Sequence, residues 1–293
     1  MVKKIIYKII FVIRKIISLP LYLFINLGTF YAKCIKQIDT RNYNADWQEL
    51  LSYHLDKFTS KKIVISKSPF KEIYFFIPSK VASYRARSFF TKEPETIDWL
   101  NSNGSNNNIL FDIGANMGVY SIYYAKKFDS KVFAFEPSFK NLELLSKNIK
   151  INSLEKNITL ISNPLTNNTK LSNFYQNNFT AGQANATFLN NDKIKTPEKF
   201  ENNNKEIFYK TLGLSLDNFL GFEITNKPKL IKIDVDGNEL EIIRGAKKTL
   251  STDDKKHIII EVRPETEQEV EKELISLNFK KISRHKDNEI WEN

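Results

Sequence analysis

The stretch ILFDIGANMGVYSIYYAKK, Ile109 to Lys127, constrains this chain more than any other part of it. An apolar run of strand character leads directly into Asp112-Ile-Gly-Ala-Asn-Met-Gly118, and a helical pattern leaves it. Gly114 suits a tight turn with close backbone approach, and Gly118 suits close packing of the helix on strand and ligand. The spacing is D-x-G-x-x-x-G. It lacks the second closely spaced glycine through which a dinucleotide's pyrophosphate meets the backbone, so a cofactor without phosphates fits better. Asp112 is then placed to meet the ammonium of a methionine-like moiety, directly or through water. The next strand ends in FAFEP, which puts Glu136 24 residues after Asp112. An acid at that strand tip is positioned to accept hydrogen bonds from both hydroxyls of a ribose.

The pattern around this loop predicts the fold. Strands are expected at Ile109–Ile113, Lys131–Glu136, Ile158–Ser162, Lys229–Asp234 and His257–Val262, with helices at Gly118–Lys127, Phe139–Asn152 and Asn238–Leu250. A helix over Thr266–Leu277 and strands near Phe279–Arg284 and Glu289–Trp291 complete the set. Short apolar strands without alternation, separated by helices, indicate a sheet covered on both faces. The expected class is a Rossmann-like, doubly wound, mostly parallel α/β sheet of seven strands with an N-terminal helical extension. Residues 109–293 form the main domain. Residues 39–108 read as a connecting region, with short strands at Lys62–Ile65 and Ile73–Ile77 and an approach helix opening at Pro94. Between Leu171 and Leu214 the chain is Asn-rich and reads as one strand, Leu171–Tyr175, followed by a long loop suited to an acceptor.

Charge is distributed unevenly. The net charge is +10, of which +7 lies in residues 1–38 with no acid among them, leaving +3 for the other 255 residues. A nucleic-acid enzyme usually carries its basic charge on the catalytic domain; here it accompanies isoleucine-rich sequence before Pro20 and an uncharged run from Ile16 to Ala32. The segment reads as a basic amphipathic helix lying on a membrane surface, at the cytoplasmic, inner face. A docking helix of the soluble body, or a signal sequence, are the alternatives; no small-residue cleavage site follows the apolar run. Cys34 is the lone cysteine and there are three histidines, His54, His257 and His285, so neither a Cys-rich metal framework nor a His-based centre has support.

The fourth strand ends in KIDVDGNELE, which sets Asp234, Asp236 and Glu239 where an acceptor would stand. A carboxylate there can take or orient a hydroxyl proton. Equally, Asp234 can cap a loop and Asp236-Gly237 can make a turn. Adjacent acids in a turn are more often caps than metal ligands, so no metal is assigned. Glu261 ends the fifth strand on the same side, and Lys92-Glu93 precede the approach helix, either closing over the cofactor or pairing with each other.

Together TKEPETIDWL, FDIGANMGVYS, FAFEPSFKNLELLSKNI, LDNFL, LIKIDVDGNELEIIRGA and IIIEV resemble the FkbM-like methyltransferases, of the class I S-adenosylmethionine-dependent group. The resemblance runs from Thr91 to the end of the chain, with the Asn-rich insert after Leu171 and the basic N-terminus outside it. It implies S-adenosylmethionine as cofactor, held by Glu93, Asp112, Gly114, Asn116, Gly118, Glu136, Pro137 and Asn163, and O-methylation of a glycan, lipid-linked sugar or natural product. The family usually has Glu where this chain has Asp236, one methylene shorter. Two other functions compete. A base-modifying nucleic-acid methyltransferase would carry an Asn/Asp-Pro-Pro-aromatic loop where this chain has DVDG. A membrane-bound scaffold without catalysis would not need Asp112, Gly114, Gly118 and Glu136 together.

Overall fold

The computed structural model describes residues 72–176, 180–184, 186–188, 207–222 and 227–293, the strand Lys62–Val64, and Leu23, Asn26 and Leu27. The chain divides into two compact units, Met1–Ser60 and Lys61–Asn293. The second carries the fold discussed below. The segment expected at the membrane, residues 1–38, lies outside the described residues apart from the three isolated positions. Among the described residues no helix is long and apolar enough to cross a membrane.

The first elements are β1 (Lys62–Val64) and β2 (Tyr74–Phe76), paired antiparallel, then α1 (Lys80–Lys92) and α2 (Pro94–Asn103). The α/β body follows as β3 (Leu110–Ile113), α3 (Val119–Phe128), β4 (Val132–Phe135), α4 (Phe139–Ile151) and β5 (Ile158–Ile161). An insert contributes β6 (Lys170–Gln176), β7 (Ala186–Phe188) and β8 (Ile207–Gly213). The chain then completes the body with α5 (Leu216–Leu220), β9 (Leu230–Ile233), α6 (Glu239–Arg244), α7 (Lys247–Leu250), β10 (His257–Glu261), α8 (Glu267–Ser276), β11 (Lys280–His285) and β12 (Asn288–Glu292).

Seven strands form the main sheet in the order β11-β12-β10-β9-β3-β4-β5. The five from β10 to β5 pair in parallel, and β12 runs antiparallel to both β10 and β11. The expected mostly parallel seven-stranded sheet is therefore present. Alternation along each strand feeds two separate cores. Leu110, Val132, Leu230 and Ile259 face one side, packed with residues of α1 to α4. Phe111, Phe135, Ile231, Ile258 and Ile260 face the other, packed with residues of α5, α6 and α8. The chain runs outward from β3 to β5 and returns to β9 on the other side of β3. The β3–β9 junction is thus the topological switch point, where ligands of such sheets bind.

Several elements differ from expectation. α1 replaces a stretch read as connection. Its Ser79 cap accepts from the Ala82 amide at 2.9 Å, and Ala82, Ala86 and Phe89 enter the same core as Ile73 and Phe75 of the β2 region. The insert is a three-stranded antiparallel sheet, β7-β6-β8, with β6 and β8 in register from Lys170↔Gly213 to Gln176↔Ile207, so the long loop shrinks. The single helix expected over Asn238–Leu250 is two helices, α6 and α7. A Cβ on Gly245, between them, would lie 2.1 Å from the Thr166 carbonyl, an approach that a continuous side-chain-bearing helix does not permit.

Candidate active site

Between β3 and α3 the backbone turns sharply, with positive φ at Gly114 (83°), Asn116 (52°) and Gly118 (83°). The Gly114 and Ala115 amides both donate to the Phe135 carbonyl at 3.0 Å, locking the loop to the tip of β4. There Glu136 is buried. Its Oε2 accepts from the Asn116 amide and its Oε1 from the Ser138 amide, each at 2.8 Å. Burial pushes its pKa up to about 7, against the pull of those two amides. A carboxylate held this way keeps lone pairs for a ligand.

A cleft of about 150 Å³ opens over this loop. Gly114, Asn116, Glu136 and Pro137 line it, as do Asn163, Asp234 and Asp236. The Asn163 amide is itself tied to β8, donating to the Leu212 carbonyl at 2.9 Å. Glu261, at the end of β10, stands on the same wall as Asp234.

Four of the expected residues are placed elsewhere. Asp112 is fully buried: Ser121 donates to its Oδ2 at 2.5 Å, and its Oδ1 lies 3.7 Å from the Lys232 ammonium without a hydrogen bond. It does not line the cleft, so direct contact with a ligand's ammonium is replaced by a structural ion pair. Gly118 caps α3 and packs on α4; a Cβ there would sit 2.3 Å from Leu145 Cδ1, not against a ligand. Glu239 is buried and turned inward, its Oε1 accepting from the Gly237 amide at 2.9 Å and the Val235 amide at 3.3 Å. It holds the 235–237 turn and is not at the acceptor position. Glu93 pairs with Lys92, the second of the two alternatives for it, and also accepts from the Tyr120 hydroxyl of α3 at 2.7 Å. Asp236 sits at φ 60°, 3.9 Å from Arg263, within a turn and on the cleft wall at once.

The sequence reading missed Lys232. It is a buried lysine inside an otherwise apolar strand, 3.1 Å from Asp234 Oδ2 and 5.2 Å from the centre of the Tyr120 ring. Burial opposes its charge, but the Asp234, Asp112 and Glu93 carboxylates outweigh burial and raise its pKa. In return the ammonium holds Asp234 below its usual range although burial acts the other way. A charged residue in a central parallel strand is rare enough to be a signal in itself. Arg85 was missed because its helix was missed. It lines the cleft and donates to the Gly182 carbonyl at 2.6 Å. That carbonyl belongs to a strap, residues 180–184, whose Gln183 and Ala184 line the cleft. Ser79 donates to Ala181, the Gly182 amide donates to Asn141, and the side-chain amides of Asn116 and Asn141 both donate to Gln183.

Residues 112–282 match the family described as Methyltransferase FkbM domain. The chain belongs to this family. It is an S-adenosylmethionine-dependent methyltransferase. This FkbM-domain chain is 26% identical over 192 residues to Methyltransferase sdnD of Sordaria araneosa, covering 59% of its own length and 71% of that protein. Among solved structures it is similar to precorrin-6y C5,15-methyltransferase from Geobacter metallireducens GS-15, at 15% identity and a TM-score of 0.39, covering 69% and 86% of the two chains. It is also similar to ribosomal protein L11 methylase from Lactobacillus delbrueckii subsp. bulgaricus, at 13% identity and a TM-score of 0.41, covering 67% and 74%. The residues of the cleft suit the family's cofactor. A buried acid suited to a vicinal diol, Glu136, and carboxylates suited to a cation, Asp234, Asp236 and Glu261, line the same cleft.

Proposed function

We propose that the enzyme O-methylates a hydroxyl of a glycan, a lipid-linked sugar or a natural product. One observation carries this reading: the carboxylates of Asp234 and Glu261 share the cleft with Glu136 and the glycine loop. When bound, the cofactor supplies a methyl group on a cationic sulfur. Glu136 would hold its ribose hydroxyls, with Gly114, Asn116, Pro137 and Asn163 shaping the walls around it. Asp234, with Glu261 beside it, would receive or orient the acceptor's proton, and the turn at Asp236 would bound the acceptor's entry. Methyl transfer to a hydroxyl needs an in-line approach and removal of that proton, which makes a carboxylate on the acceptor wall the functional requirement.

Glu136→Ala is expected to weaken S-adenosylmethionine binding by about 1.5–3 kcal/mol, the range for hydrogen bonds to a charged group. Calorimetry on the folded variant checks it; unchanged affinity would remove Glu136 from the ribose role. The acceptor class is tested by mass spectrometry of cell glycans and lipids with and without the enzyme. A species heavier by one methyl group only when the enzyme is present identifies the product. Methylated RNA or DNA as the sole difference would overturn the reading.

The site of action we place at the cytoplasmic, inner face of the membrane, supported by seven basic residues without an acid in residues 1–38 and about 1 kcal/mol of attraction to anionic head groups for each one near the surface. The full chain is expected to float with anionic liposomes and a chain starting near Asp39 is not. Equal flotation of both removes the attachment from this segment.

A further inference from the structure

β9 and β10 are neighbours in parallel, and each ends in an acid that lines the cleft, Asp234 just beyond β9 and Glu261 as the last residue of β10. Ile233 and Ile260 are register partners, so the two acids that follow them stand side by side at the strand ends. Two carboxyl groups that share a site disfavour double ionisation, so one of them tends to keep its proton. The surroundings decide which. Lys232 contacts only Asp234 of the two, at 3.1 Å, and keeps it ionised. Glu261 stands beside that ionised partner and feels the charges of Asp236 and Glu239 in the turn. Burial first, and these three acids after it, push its pKa up to about 8. Arg263, two residues along, stands 3.9 Å from Asp236, and Arg85 acts on Asp234 from α1. On the β12 side Glu261 is paired with the uncharged Asn288.

We propose that the Asp234–Glu261 pair is the proton store of the methyl transfer, holding one proton before the cofactor enters and releasing it to solvent when the cofactor's positive sulfur enters the cleft. The inference rests on the hydroxyl-acceptor reading above. With its proton gone, the pair stands as two carboxylates facing a cation. As the acceptor oxygen bonds to the methyl carbon, the sulfur–carbon bond breaks and its electron pair stays with sulfur. The acceptor's O–H proton passes to Glu261. The thioether that remains carries no sulfonium charge, and the pair is back in its one-proton state. One proton therefore reaches solvent per methyl transferred, and it leaves at the binding step rather than at the chemical one. Lys232 is a positioning residue in this scheme: it keeps the stored proton on Glu261, the member of the pair that is not tied to a cation.

The test needs no acceptor. Binding of S-adenosylmethionine and of S-adenosylhomocysteine is measured by calorimetry at pH 7 in buffers of different ionisation enthalpy, which yields protons released per ligand. The two ligands present the same ribose to Glu136, so any proton exchanged there is common to both. They differ in the sulfur charge. S-adenosylmethionine is expected to release about one proton more than S-adenosylhomocysteine, from a group that is mostly protonated at pH 7. In Glu261→Gln that difference is expected to fall to near zero, whereas in Glu136→Gln it persists. Equal release for the two ligands in the parent enzyme overturns the proposal, as does a full difference in Glu261→Gln. Absence of any hydroxyl product in cells would instead overturn the acceptor reading and leave this measurement intact.

Discussion

Gly114→Val is expected to lower stability by about 3–5 kcal/mol and to abolish cofactor binding in whatever protein remains folded. Gly114 sits at φ 83°, a region that a β-branched residue enters only under strain. A Cβ built there lies 1.8 Å from the Asp234 carbonyl oxygen and 2.8 Å from its carbon, both backbone atoms. The collision is therefore with the end of β9, before any ligand is reached. The Asp234 amide donates to the Ile113 carbonyl at 3.0 Å, so the two strand ends are tied together at that point. To admit a side chain they must part, which breaks the tie and moves both the glycine loop and the acid beside it. A loss of this size is a large share of the 5–15 kcal/mol available to an ordinary protein. Thermal melting of the parent, Gly114→Ala and Gly114→Val, with and without S-adenosylmethionine, checks the prediction. Alanine should already destabilise, valine more so, and cofactor should stabilise only the parent strongly. A valine variant that melts with the parent and binds normally would mean the strand ends separate at no cost.

Lys232→Met is expected to cost about 3–5 kcal/mol, the range for removing one partner of a buried ion pair. Methionine nearly matches lysine in length, so the loss is electrical rather than steric. What remains is Asp112 with no exposure to solvent and an Oδ1 that has lost its neighbouring charge, together with Asp234 deprived of its ammonium. The dependence on pH follows in sign. In the parent Asp234 titrates below its ordinary value, so its contribution is present at neutral pH and is lost on strong acidification. In the variant burial has lost its main opponent, with Arg85 still acting from α1, and the carboxyl moves upward from its place in the parent, so the penalty is greatest at high pH and shrinks as protonation removes the charge. The melting temperature of Lys232→Met should therefore fall furthest below the parent near pH 8 and least near pH 5. Adding Asp112→Asn should recover part of the loss. A variant that melts like the parent at pH 8 would refute the buried-pair account.

Much of this architecture was legible in the residues because its parts are local. The run from Leu110 to Gly118 states a strand, a turn and a helix within a few positions, and Glu136 follows at the tip of the next strand. What escaped was set by tertiary contact. Of the insert, β6 was expected as Leu171–Tyr175, whereas β7 and β8 were not; in β8 the exposed Leu212 breaks the hydrophobic alternation that marks a half-buried strand. Helix α1 had a readable signal, the Ser79 cap followed by Ala82, Ala86 and Phe89, but its lysines and arginines masked the stripe. Glu239 and Asp112 were assigned to ligands because an acid at a strand end looks the same whether it faces a cleft or a backbone amide. Only the fold decides that Glu239 closes a turn and Asp112 answers Lys232.

The strap at residues 180–184 is hydrogen-bonded through its main chain: the carbonyls of Ala181, Gly182 and Gln183 and the amide of Gly182 meet side chains of Ser79, Arg85, Asn116 and Asn141. Main-chain groups are the same whatever residue bears them. Gly182 has a φ of 85° that favours glycine and Ala181 packs against the core, but Gln183 and Ala184, which line the cleft, can exchange their side chains over evolutionary time without loosening these main-chain fastenings. The fixed half of each fastening lies in α1, the glycine loop and α4, the other half in a segment whose cleft-lining side chains are free to drift. Such a division lets a lineage retune which acceptor it greets while the seat of the cofactor stays as it was.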